Sequence, residues 1–157
     1  MTIDKQKILH FLKIIAVLLV IAYIQLKYVD NNDDPRYENG QLKSFGKYKD
    51  GFPEGKWTWW FSNGKKMSEG YFRHGKRTGE WFTWFVGGEK MTSGNYVNDK
   101  LDGRYLRWYR NGSIEFAGNY TQDKLEGVQK YYDTTGVCVK TENYVKGNLY
   151  SIQMKNR

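Results

Sequence analysis

The sequence predicts an all-β fold in which tandem β-hairpins form one elongated, twisted antiparallel meander sheet, preceded by a single N-terminal transmembrane helix. Three observations carry this prediction. Glycines and aromatic residues return every 24 positions, aromatic residues make up 17% of the chain, and an apolar run lies near its start. A fixed period of roughly 20–50 residues is typical of an array whose unit is one supersecondary element. Aromatic side chains also favour pleated sheet surfaces.

The period is visible as columns of equivalent residues. The glycine columns are Gly55, Gly79, Gly103 and Gly127; Gly40, Gly64, Gly88, Gly112 and Gly136; and Gly46, Gly70, Gly94 and Gly118. The aromatic columns are Tyr48, Phe72, Tyr96, Tyr120 and Tyr144; and Trp60, Trp84, Trp108 and Tyr132. We therefore assign residues 37–150 to the repeats and residues 151–157 to a C-terminal tail.

Each unit is predicted to be a β-hairpin. Its first strand alternates, with Trp57 and Trp59 on one face and Trp60 on the other. Asn63-Gly64 predicts a tight turn, because both residues tolerate positive φ. In the returning strand, Gly70 leaves a position without a side chain, which indicates a bulge or a neighbour packed closely over it.

Polar segments connect one hairpin to the next, and each is expected to close at a glycine such as Gly79. At about 4.8 Å between strands, each unit should lengthen the sheet by ~10 Å. In the last unit, Gln129 takes the position of Trp57. A polar residue there is typical of a solubilising cap, and equally of a frayed end.

Residues 1–36 are predicted to anchor the array. We assign 1–7 to a cytoplasmic N-terminus, 8–27 to a transmembrane signal-anchor helix and 28–36 to an exposed linker. The apolar run of about 19 residues would span roughly 28 Å as a helix, close to a bilayer core of ~30 Å. A cleaved signal peptide is the alternative. No small-x-small cleavage site follows the apolar run, which favours an uncleaved anchor.

Charge predicts the orientation of the chain. Lys5, Lys7 and Lys13 precede the apolar run, whereas acidic residues dominate after it. The positive-inside rule then places the N-terminus in the cytoplasm and the repeats outside, on a single-pass protein of the cell membrane. Residues 1–35 carry four Lys and four Asp, so the net charge of +8 lies on the repeats. The array should attract anions, and charge alone does not say which.

The residues for catalysis are mostly missing. His10 and His74 are the only histidines, so no cluster has the spacing of metal ligands. No glycine-rich phosphate loop opens a helix. Repeated acids such as Glu54 and Glu126 could form a glycosidase pair, but solvated turn acids fit an array better. We expect neither an enzyme nor a cofactor.

The repeated residues resemble the bacterial variant of the MORN-repeat family. There, a Gly-x-Trp strand, an Asn-Gly turn and a Gly-x-Tyr strand recur in units of this size. The resemblance covers about residues 37–150 and implies a sheet of tandem hairpins. Some bacterial members carry an antitoxin designation, so the resemblance also permits a binder of a protein toxin.

A second similarity links the chain to choline- and glucan-binding hairpin repeats. It rests on Trp59-Trp60-Phe61 followed by Gly64, Met67 and Gly70. It implies a module that binds glycans or cell-wall polymers.

Two surfaces are candidate partner sites. One is an aromatic ladder, and the other is a basic loop with the lysines of the preceding turn. The ladder is Trp57, Trp59, Trp81 and Tyr105, and the basic set is Arg73, His74, Lys76 and Arg77 with Lys65 and Lys66. Large exposed apolar patches often mark partner sites. The alternatives are that the rings are covered and that the lysines belong to solvated turns.

The sequence therefore predicts a membrane-anchored, non-enzymatic repeat scaffold. Its surface would bind a protein partner or an envelope polymer, with contact to anionic lipid as a further option. We expect no nucleic-acid partner. An antitoxin-type binder and a glycan-binding module are the alternatives.

Overall fold

The computed structural model describes residues 15–20 and 34–154. The chain divides into two compact units, Met1–Asp33 and Asp34–Arg157. In the first unit, residues 15–20 are helical. The rest of the predicted anchor 8–27, the N-terminus 1–7 and most of the linker 28–36 lie outside the described residues. Within the described part of the chain, no helix has the length and apolar character needed to span a bilayer.

The second unit contains one ten-stranded antiparallel sheet whose strands follow one another in chain order. The strands are β1 (Ser44–Lys49), β2 (Phe52–Trp60), β3 (Lys66–Arg73), β4 (Lys76–Trp84), β5 (Lys90–Val97), β6 (Lys100–Trp108), β7 (Ile114–Thr121), β8 (Lys124–Tyr132), β9 (Cys138–Val145) and β10 (Asn148–Met154). This confirms the all-β meander of tandem hairpins. The repeats extend beyond the predicted boundary at residue 150, because Ser151 to Met154 pair with β9 and do not form a tail.

The turn at Asn63-Gly64 differs from the predicted tight turn. It is a three-residue loop, closed by hydrogen bonds from the Phe61 amide to the Lys65 carbonyl (2.8 Å) and from the Gly64 amide to the Phe61 carbonyl (2.9 Å). Only Gly64 has a positive φ, of 80°. Asn63 instead uses its side chain: Oδ1 accepts from the Lys65 amide at 3.0 Å, and Nδ2 donates to the Val86 carbonyl of the next unit at 3.0 Å.

The tight two-residue turns lie between the hairpins. At His74-Gly75, both residues have positive φ (50° and 76°), the geometry that matches the twist of adjoining strands. The spacing predicted that Gly79 closes this connection, and that prediction is wrong. Gly79 lies inside β4 with φ 66°, where the pairing of β3 with β4 shifts between Glu69 and Tyr71. A glycine is needed there because a left-handed backbone at a bulge strains other residues.

One face of the sheet carries the core, and we call it the aromatic face. Its rings are Tyr48, Trp57, Trp59, Phe72, Trp81, Tyr96, Tyr105, Phe116, Tyr120 and Tyr131. Trp57 and Phe116 are its buried members, 7% and 4% exposed. The predicted close neighbour over Gly70 is confirmed, because the Trp81 ring occupies the space that a Cβ would take.

Gln129 is not a solubilising cap on the surface. Its side chain is fully buried. Its Nε2 donates to the Asn119 carbonyl at 3.2 Å, ten residues earlier. The indole N–H of Trp81 likewise donates to the Tyr71 carbonyl at 3.1 Å, also ten residues earlier. The amide therefore replaces the tryptophan of this column as a donor, which explains why a polar residue is accepted in the core.

Polar contacts also replace ring stacking around Glu142, which is 8% exposed. Its carboxylate accepts hydrogen bonds from Tyr131 (2.8 Å) and Tyr144 (3.2 Å) and pairs with Lys140 at 3.1 Å. Burial alone would raise the pKa of Glu142, but the hydrogen bonds from Tyr131 and Lys140 outweigh it and hold that pKa below its usual 4.5. The pKa of Tyr131 is raised, by burial and by the carboxylate beside it.

Candidate functional site

The opposite face of the sheet combines lysines with tryptophans. We call it the lysine–tryptophan face and define it by Trp60, Lys66, Phe82, Trp84, Lys90 and Trp108. Strand alternation places Trp60 on this face, because its neighbour Trp59 belongs to the aromatic face. Each lysine then follows from the register, since Trp60 pairs with Lys66 and Trp84 with Lys90.

Each lysine lies close to rings of neighbouring strands. The Lys66 Nζ is 5.4 Å from the ring centroid of Trp84. The Lys90 Nζ lies 5.5 Å from that of Phe82 and 5.9 Å from that of Trp108. At these distances an ammonium is attracted by the electron-rich face of a ring. Cations and half-buried rings thus alternate along one direction of the sheet.

The cations of the aromatic face are paired with carboxylates. These pairs are Arg77–Asp99 (3.3 Å), Arg107–Glu115 (2.6 Å) and Lys140–Glu142 (3.1 Å). In each of these three pairs a carboxylate offsets the positive charge.

In the first unit of the lysine–tryptophan face, the lysines are also paired with a carboxylate. Glu69 pairs with Lys56 at 3.2 Å and with Lys66 at 2.7 Å. Burial would raise the pKa of Glu69, but the two lysines outweigh it and lower that pKa. One repeat later, Ser93 stands where Glu69 stood. Among residues 34–154, Lys90 consequently has no carboxylate within ion-pair distance.

A shallow groove of about 400 Å³ continues this face across β4, β5 and β6. Its side chains are those of Glu80, Ser93, Asn95, Arg104 and Leu106. Glu80 and Arg104 are exposed. The groove is open and polar, so it suits an extended ligand better than a small enclosed one.

Comparison with known families adds a finding about the repeat. Residues 53–74 and 101–122 match the family described as MORN repeat variant. The first match covers most of β2 and all of β3, and the second covers nearly all of β6 and all of β7. The two matches start two periods apart, and the intervening hairpin β4–β5 has the same strand lengths. No curated protein matches the chain.

The predicted aromatic ladder is found on the aromatic face of the sheet. Trp59 lies 5.6 Å from Trp57 and 5.7 Å from Trp81, measured between ring centroids. Tyr105 is on the same face and contacts Tyr120 at 5.7 Å. These rings pack against one another as a core, and Trp57 in particular offers little surface to a partner.

The predicted basic set does not form one patch. Lys65 and Lys66 lie at the start of β3, and Arg73 lies at its end, about 25 Å away for an eight-residue strand. Lys76 follows beyond the tight turn, at the same end of the sheet as Arg73. Arg77 is on the aromatic face, 4.2 Å from the centroid of Tyr96.

Several members of this basic set also have structural contacts. Lys65 donates to the Gly87 carbonyl of the next unit, and Lys66 pairs with Glu69. His74 occupies the first position of the tight turn, with φ 50°.

The repeated acids hold the tight turns together. Glu54 accepts a hydrogen bond from the His74 amide, and Glu126 accepts one from the Lys146 amide, both at 2.8 Å. They are structural caps of the following turn rather than freely solvated acids. In the described part of the chain, no three His, Cys, Asp or Glu side chains are grouped as a metal site requires.

Sequence reasoning missed Trp84, Lys90 and Trp108 as site residues. The signal was present in the Trp60 column and in the lysine that recurs 24 residues after Lys66. The decisive detail is that Glu69 has no acidic counterpart in the next repeat, where Ser93 takes its position. Its consequence for Lys90 appears only when the strand register is known.

Proposed function

We propose that this chain is a non-enzymatic MORN-repeat scaffold that binds an acidic protein partner through its lysine–tryptophan face. The scaffold is held at the cell membrane by segment 8–27 as a single-pass anchor, with the repeats outside the cytoplasm. The repeat sheet itself is observed, whereas the partner, the anchor and the lack of catalysis are parts of the proposal.

The observation that carries this proposal is Lys90 among aromatic rings with no carboxylate beside it. A cation between Phe82 and Trp108 gains from a carboxylate supplied by a partner, because the rings partly exclude water and strengthen the attraction. Tryptophans at the same place supply apolar contact area, and they are frequent in the energetic centres of interfaces. Carboxylates of the chain itself already pair with the cations of the aromatic face.

The test places a photo-crosslinking residue at Trp84 in cells and, as a control, at Lys124, which is exposed beside a tight turn. The proposal predicts one dominant crosslinked protein from position 84 and none from position 124. Binding of that purified protein should weaken at least tenfold in Lys90→Glu and remain unchanged in Lys124→Glu. It should also weaken with added salt. Equal loss in both variants, or none in either, would reject the lysine–tryptophan face as the site.

Membrane anchoring is tested separately. A reporter that is active only outside the cytoplasm is fused after Arg157, and the mass of the membrane-extracted protein is measured. An active reporter on an intact chain supports the anchor and its orientation. A silent reporter would place the repeats in the cytoplasm, and a shortened chain would mean a cleaved signal peptide.

A glycan ligand is the second candidate, favoured by the groove across β4, β5 and β6. Groups such as Glu80, Asn95 and Arg104 can form hydrogen bonds with sugar hydroxyls. This function predicts retention on cell-wall or polysaccharide columns that Arg104→Ala abolishes. Retention unaffected by Arg104→Ala would exclude the groove as the glycan site.

For the antitoxin designation, the test is whether co-expression of this chain protects cells from the product of a toxic neighbouring gene.

A further inference from the structure

We propose that β10 pairs with β10 of a second copy, so that two sheets join edge to edge in an antiparallel homodimer. This interface is separate from the lysine–tryptophan face. It does not depend on what that face binds.

Every residue of β10 is exposed, which is true of no other strand. In the described sheet it pairs with β9 alone, so its second edge offers free backbone N–H and C=O groups. Its apolar side chains are open as well: Leu149 is 52% exposed, Tyr150 77%, Ile152 52% and Met154 63%. An exposed apolar edge of this kind is a template for pairing with another strand.

The composition of β10 separates it from the other strands. Asn148–Met154 contains no Asp, Glu, Lys or Arg, whereas each of the other nine strands carries at least one. Lysine on an edge strand is a common protection against unwanted pairing. At the opposite edge, β1 has that protection in Lys47 and Lys49, and its pairing with β2 is shifted between Phe45 and Lys47. This contrast indicates that the β10 edge is suited to pairing with another strand.

A second copy of β10 fits this edge without placing a charge against it. In an antiparallel pair related by a two-fold axis, residues that face each other must lie on the same side of the sheet. The pairing of β10 with β9 places Ile152 and Met154 on the aromatic face and Ser151 and Gln153 on the other. Centring the axis on Ile152 meets the condition: Ile152 faces its own copy, and Ser151 faces Gln153. Apolar residues then meet apolar ones, and neutral polar residues meet neutral polar ones.

Cysteine crosslinking of the full chain in detergent tests the register. Cys138 is first replaced by Ser, because it is the one cysteine of the chain. Ile152→Cys in that background should give a disulfide-linked dimer on oxidation. Cβ atoms directly opposite each other in a sheet lie about 4.5–5.5 Å apart, and a small backbone shift brings them to the distance of about 3.5–4.5 Å that a disulfide needs. Phe45→Cys is the matched control on β1, where the side chain is 51% exposed. It should give no crosslinked dimer.

Sedimentation of the full chain at several concentrations tests the strength of the interface. Ile152→Lys places two ammonium groups opposite each other across the axis and should weaken the dimer at least tenfold. Phe45→Lys should leave it unchanged. Circular dichroism and thermal melting check that both variants remain folded, as expected for residues that are half exposed.

Three outcomes would overturn the proposal. One is a full chain that stays monomeric at the highest concentration reached. Another is a dimer that Ile152→Lys does not weaken, which would locate the contact elsewhere. The third is crosslinking between Ile152→Cys and Phe45→Cys chains in a mixture, which would mean head-to-tail addition of sheets and not a closed dimer.

Discussion

Gly70→Ala is the sharpest test of how the repeat units pack. Gly70 does not have a positive φ, so alanine fits its backbone without strain. The obstacle is the Trp81 ring, which a Cβ at position 70 would overlap. The ring must then move, and it contacts Phe72, Trp59 and Tyr96 at centroid distances of 5.1, 5.7 and 6.1 Å.

The expected loss of stability follows from these contacts. Forcing extra volume into a packed site costs about 1–3 kcal/mol. Each displaced aromatic pair is worth about 0.5–1.5 kcal/mol beyond its buried area. Because the ring would lose only part of its contacts, we expect Gly70→Ala to lower the free energy of unfolding by about 2–4 kcal/mol.

Urea unfolding followed by tryptophan fluorescence measures this loss. Gly87→Ala is the matched control, because Gly87 also lacks a positive φ and the three atoms nearest to its Cβ would belong to the carboxylate at the end of the flexible Glu89 side chain. It should change stability by less than about 0.5 kcal/mol. In a Trp81→Ala background, Gly70→Ala should cost almost nothing. An equal cost with and without the Trp81 ring would refute the packing argument.

Three further predictions follow from the same contacts. Gly87→Asn should raise the free energy of unfolding in urea by about 1 kcal/mol. At the equivalent position, the Asn63 side chain donates to the carbonyl 23 residues later, and an asparagine at 87 would reach that of Arg110 in the same way. Gly88→Ala is the control and should lower the free energy of unfolding, because Gly88 has a φ of 97°. Gln129→Ala should cost about 2–4 kcal/mol in thermal or urea unfolding, because buried backbone groups lose their partner and a cavity remains. The folded-state pKa of Glu142 is lowered from 4.5, so its stabilisation is complete above that pH and is lost as pH falls through the lowered pKa. Acid unfolding of Glu142→Gln should therefore depend less on pH than that of the unchanged protein, and identical profiles would contradict this.

The candidate site was only partly predictable from the sequence. The alternation in β2 correctly separated Trp57 and Trp59 from Trp60. Which of the two faces buries its rings depends on residues of neighbouring strands, such as Gly70, which leaves room for the Trp81 ring. A one-strand pattern contains no information about those neighbours. The predicted aromatic ladder therefore fell on the face that forms the core.

The sequence by itself determined the repeat, the hairpin unit and the meander order. These follow from spacings of 2 and 24 residues, and such spacings act locally along the chain. Tertiary structure alone decided which turns are tight, which acids cap them and that Lys90 lies among rings without a carboxylate. The physical reason is that the deciding hydrogen bonds join residues 23 and 20 positions apart, from Asn63 to Val86 and from Glu54 to His74. Those residues meet only when the strands have paired in register.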